Sequence, residues 1–183
     1  MYLEFLLLIA DYYRTVSKRI IYFEWLIPFL IGIGVFLLLF FGSSTSATIV
    51  FKDNAINLLG ILVGFSITII TILTTGQGQN LDEIKNKETQ IEINSKKITL
   101  FRLLLINFTY SVIIEVGLII TCLIYPLLID NIKFNENVKY VGFSILVVLI
   151  LHIMLLTMRN LSDFYLILVK PPKKPVGNNV YKK

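Results

Sequence analysis

Glu115 raises the first chemical question in this chain. It lies inside the apolar stretch Phe101–Leu128, about 20 Å along a helix from Arg102, which puts it near the midplane of a bilayer. An ionisable group at that depth is costly unless neutralised, hydrated or paired, and it marks a functional site by default. Asn107 and Ser111 precede it at steps of four, and Cys122 follows one heptad later, so a polar stripe runs down one helical face. Two arrangements fit this pattern. In one, Glu115 handles ions or protons; in the other, it is a neutral acid bonded to a hydroxyl or backbone carbonyl between packed helices. The single histidine, His152, lies in another apolar stretch, about 10 Å along a helix from Arg159 and near one face with Ser144. With untilted helices His152 falls roughly 9 Å nearer the cytoplasm than Glu115, level with Tyr110 and Ser111. It reads either as a proton relay or as a satisfied packing residue.

Other chemistry is harder to build. With one histidine and one cysteine there is no HExxH, no CxxC and no Cys–His dyad, and no metal or cofactor is expected. Gly76-Gln77-Gly78 lacks the Lys-Ser/Thr ending of a phosphate loop. Glu115 is the only midplane carboxylate, so an acid dyad would need two subunits. No enzyme is expected.

The elements that carry these residues are membrane spans. Hydrophobic residues make up 56% of the 183-residue chain and mean hydropathy is +0.78, above the soluble range of roughly 45–50% apolar. The excess sits in four blocks, Ile20–Phe41, Ala55–Thr75, Phe101–Leu128 and Tyr140–Met158, each near the roughly 20 residues a helix needs to cross hydrocarbon. The expected fold class is an all-α membrane four-helix bundle. Of the 17 lysines and arginines, only Lys52, Lys133 and Lys139 lie on the connections after the first and third spans. The positive-inside rule therefore puts both termini and the middle loop in the cytoplasm. The net charge of +5 is accounted for by anionic lipid, with no direct nucleic-acid binding expected.

Residues 1–19 read as an amphipathic helix lying in the membrane interface, with Glu4, Asp11, Arg14, Thr15 and Lys18 on its polar face. Glu4, where a basic segment would stand, argues against a cleaved signal peptide. Residues 20–160 form the four-span domain with its loop at 76–100, and residues 161–183 an interfacial segment with a basic, proline-rich tail. In the first span Glu24, Pro28 and Gly32 share a face, and Pro28 leaves the carbonyl of Glu24 without its helical donor. In the second, Asn57, Gly60, Gly64, Thr68, Thr71 and Thr75 recur at steps of three or four. Such a stripe serves close helix packing, Gly60 and Gly64 having GxxxG spacing, or else lines a hydrated pore. The middle loop predicts a short helix from a capping box at Asn80 and Glu83, then a hairpin turning at Asn94-Ser95. Its charges Asp82, Glu83, Lys85, Lys87, Lys96 and Lys97 are candidates for docking a cytoplasmic protein. Beyond the fourth span, Arg159 and Asp163 have the spacing of a helical ion pair.

The layout, with Leu62-Val63-Gly64-Phe65-Ser66-Ile67-Thr68 running into Asn80-Leu81-Asp82-Glu83-Ile84-Lys85, resembles the small four-span membrane subunits of bacterial anti-phage defence systems, in particular that of the Kiwa system. That resemblance implies a homo-oligomer that senses membrane disturbance and signals to a cytoplasmic effector. The residues themselves support such a sensor or scaffold, and alternatively an oligomeric channel or pore-forming effector lined by the second-span stripe and Glu115.

Overall fold

The computed structural model describes residues 3–42, 46–131 and 135–169. The basic tail from 170 onwards and Lys133 lie outside them. In chain order the elements are α1 (Leu3–Thr15), α2 (Lys18–Phe41), α3 (Ser46–Thr75), α4 (Gln79–Asn86), β1 (Glu88–Ile93), β2 (Lys96–Thr99), α5 (Leu100–Asn131) and α6 (Glu136–Val169). Four helices, α2, α3, α5 and α6, are long and apolar enough to cross a membrane. The fold is an all-α helical bundle.

Its helices are arranged nearly in a row. α5 and α6 pack together at the centre, α3 lies against α5, and α2 lies against α6. The flanking helices consequently bury less of themselves than the central pair. α2 buries only Glu24, Pro28 and Gly32, the face expected from their spacing. Gly32 is needed there because a Cβ on it would overlap Val148 Cγ2 of α6. At the far end of the central pair the Tyr125 hydroxyl donates to the Lys139 carbonyl at 3.0 Å.

α1, α4 and the hairpin gather at one end of the bundle and form a platform. Asn94 and Ser95 have φ of 53° and 63°, the left-handed pair of a tight hairpin turn, so the strands turn where the sequence predicted. A two-stranded hairpin is marginal alone. This one is held because Ile93 and Ile98 are buried in a cluster with Tyr12 of α1 and Ile106 of α5. Leu81 and Ile84 of α4 are buried with Leu73, Leu104 and Phe164. The capping box is not formed: α4 starts at Gln79, behind Gly78 at φ 142°, with no side-chain cap. Glycine supplies the backbone turn that a capping side chain would otherwise stabilise.

α1 packs one face on the bundle: Tyr12 is 1% exposed, and Thr15, expected on the polar face, is buried instead. The reason is one stacked pair: Tyr12 lies on Tyr110 of α5 with ring centroids 3.8 Å apart. Leu6 and Leu7 of α1 stay exposed.

Candidate functional site

The buried polar residues form a column that runs from the platform into the bundle in three tiers. The tier nearest the platform joins three elements. Glu24 of α2 and Arg159 of α6 form an ion pair with Oε1 and Nη1 2.6 Å apart, close but not aligned as a hydrogen bond. Tyr12 of α1 donates its hydroxyl to Glu24 Oε2 at 2.9 Å, and Arg159 Nη2 approaches that hydroxyl at 3.4 Å. The Cβ of a helical residue leans towards the N-terminus, which carries the Glu24 carboxylate towards the platform. Arg159 thus meets a partner from another helix in place of the local one, Asp163, that spacing suggested. With its carboxylate only 3% exposed, Glu24 without Arg159 would be an uncompensated buried charge.

The next tier is an amide–hydroxyl knot. Asn160 Nδ2 donates to Ser111 Oγ at 3.1 Å and approaches the Asn107 carbonyl at 3.4 Å, and Ser111 donates to that carbonyl at 3.2 Å. The third tier is Glu115, fully buried, with Oε1 receiving the hydroxyls of Ser66 from α3 at 3.4 Å and Thr157 from α6 at 3.3 Å. The expected stripe of Asn107, Ser111 and Glu115 is therefore real, and it faces α6.

His152 stands apart from the column. Thr157, not His152, is level with Glu115, so His152 lies about 7.5 Å farther from the platform than Glu115, the reverse of the sequence expectation. The expectation levels Arg159 with Arg102 at the cytoplasmic end of the spans, whereas Arg159 lies deeper, paired with Glu24, and α6 continues unbroken to Val169. His152 does not meet Tyr110 or Ser111 by any polar contact. Its ring stacks on Trp25 at 4.3 Å, and Nδ1 lies 3.1 Å from the Glu24 carbonyl, the one that Pro28 leaves without a donor. A carbonyl only accepts, so Nδ1 carries a hydrogen.

Apart from Glu24 Oε1, which faces its cation, the buried atoms Glu115 Oε2, Asn107 Oδ1, Asn160 Oδ1 and His152 Nε2 meet no protein hydrogen-bond partner among the described residues. No protein-family model, curated protein or solved structure matches this chain. On its own chemistry the column holds helices in register through buried hydrogen bonds and one ion pair.

The second-span stripe lies elsewhere. Asn57, Gly60, Gly64, Thr68, Thr71 and Thr75 are all exposed on the outer side of α3, and a Cβ on Gly60 or Gly64 would meet nothing within 4 Å. The stripe does not pack helices within this bundle. Thr68, Thr71 and Thr75 donate to carbonyls of their own helix at 2.7–2.9 Å, so their hydroxyls need no water. Of the middle-loop charges, Asp82, Glu83, Lys87, Lys96 and Lys97 are exposed, Lys85 is half-buried, and none makes an ion pair among the described residues. Sequence reasoning missed Tyr12, Ser66, Thr157 and Asn160. The one available signal, the apolar run Leu161–Val169 that keeps Arg159 and Asn160 within a longer helix, bears only on Asn160.

Proposed function

We propose that this chain is an oligomeric membrane sensor and scaffold subunit, with both termini and the platform in the cytoplasm of a bacterial cell. It recruits or signals to a cytoplasmic protein, as in the anti-phage systems its layout resembles. The observation that carries this reading is the Tyr12–Glu24–Arg159 contact. It ties the extramembrane helix α1 to two spans that otherwise touch chiefly each other, so a shift of α2 against α6 in the membrane alters how α1 sits. The exposed charges of α4 and the hairpin give a partner a polar surface on the same platform.

Assembly into a homo-oligomer is supported by the outer face of α3. Small residues at Gly60 and Gly64 allow a second helix to approach closely, and the exposed Asn57 amide gains a partner there. The same face could line a pore at an oligomer axis, and silent recordings from the reconstituted oligomer would remove that second reading. Its threonine hydroxyls are already satisfied, which favours packing. The test of the main reading is the protein composition of the complex purified from native membranes: several copies of this chain with a stoichiometric soluble protein are expected, and the chain alone would refute it.

A further inference from the structure

Between α2 and α6, on the outer surface near the platform, runs a groove of about 740 Å³ whose two ends differ in chemistry. At the platform end stand Arg19, Arg159 and Ser162; deeper in the membrane the walls are Leu26, Ile27, Leu155 and Met158. The helices are antiparallel, yet both run from polar to apolar in the same physical direction over about 12 Å. That is the polarity profile of a phospholipid leaflet, headgroup outward and chain inward.

The polar end also has a definite sign. Arg19 has no ion-pair partner among the described residues. Glu24 lines the groove too, but its carboxylate is 3% exposed and turned onto Arg159 and Tyr12, whereas the Arg159 side chain is 19% exposed. An occupant therefore meets guanidinium before carboxylate. The N-terminal amides of α2 open at the same end, and Ser17 gives them no side-chain cap, so the helix terminus adds to the attraction for an anion.

We propose that this groove is a binding site for one anionic phospholipid, its phosphate between Arg19 and Arg159 and an acyl chain along Leu26, Ile27, Leu155 and Met158. The site is independent of the sensor reading. A lipid seated there touches Arg159, which holds the α2–α6 contact, so the bilayer's anionic lipid content acts on the junction that holds α1.

The experiment is native mass spectrometry of delipidated protein titrated with phosphatidylglycerol or phosphatidylcholine. Phosphatidylglycerol is expected to saturate one tight site, and Arg19→Gln to weaken that site about fivefold. Arg102→Gln removes the same charge from a different helix and is expected to leave the site unchanged, which separates a built site from general surface attraction. Leu26→Trp fills the chain-bearing part and is expected to weaken it without altering charge. Glycerol phosphate, the headgroup without chains, is expected not to compete. Equal effects of Arg19→Gln and Arg102→Gln, equal binding of the two lipids, or full competition by glycerol phosphate would each overturn the proposal.

Discussion

His152 donates Nδ1–H to the carbonyl of Glu24, 3.1 Å away, and this is the carbonyl that Pro28 strips of its helical donor. A proline in one span is thus compensated by a histidine from another. The two substitutions should therefore not be additive. His152→Ala alone leaves a buried carbonyl unsatisfied and is expected to cost about 1–3 kcal/mol, whereas in a Pro28→Ala background the helix supplies the donor and the cost shrinks. Denaturant unfolding of the four proteins in detergent measures the coupling. Equal costs of His152→Ala in both backgrounds would mean that the bond does not hold the helices.

The ion pair one helical face away makes a second cycle. Arg159→Met leaves Glu24 buried without its cation and is expected to destabilise the bundle by about 3 kcal/mol. Adding Glu24→Gln should recover a large part of that loss, because the charge that suffers is gone. A double variant as unstable as the sum of its parts would contradict the geometry.

Tyr12 gives the platform a pH limit. Burial pushes its phenol above the usual tyrosine value of 10.0, with Arg159 pulling it down and Glu24 pushing it up further. A raised acid favours the neutral form, so its contribution to docking α1 is fully present below about pH 10 and is lost as pH rises beyond. The protection factors of α1 amides, with Tyr110, Tyr13, Glu24 and Arg159 as the facing titratable groups, are expected to stay flat to about pH 10 and then fall. Tyr12→Phe should exchange faster at neutral pH, by the equivalent of about 2 kcal/mol, and lose the alkaline step. An unchanged step in the variant would assign it to another group.

The glycines separate two kinds of contact. Gly32→Leu is expected to cost about 1–3 kcal/mol of fold stability, because the new side chain must enter Val148 on α6. Gly60→Leu with Gly64→Leu meets open space within the chain, so stability of the monomer should hold while oligomer size in mild detergent falls. An oligomer of unchanged mass would remove the α3 face as its interface.

Much of this architecture is legible in the residues because hydrocarbon enforces it. Span number, the Glu24–Pro28–Gly32 face and the Asn94-Ser95 turn each follow from a local rule, and each is present. What the local rules miss is which helix neighbours which. Periodicity groups Asn57, Gly60 and Gly64 on one face without saying that the face points away from the other three helices. Helical spacing offers Asp163 to Arg159, and only the packing of α2 on α6 shows that Glu24 takes it. The depth of His152 failed for a related reason: an apolar block marks where a helix can cross, not where it stops or slides.

The most direct test of the platform as a docking surface uses its exposed hairpin charges. The complex from native membranes is to be weighed and its proteins identified for the parent chain and for Lys96→Glu with Lys97→Glu, both exposed and outside the core. A homo-oligomer of the same mass is expected in each, with a stoichiometric soluble protein on the parent chain that the charge-reversed variant loses. A soluble protein that stays bound after the reversal, or a parent oligomer that carries none, would contradict that expectation.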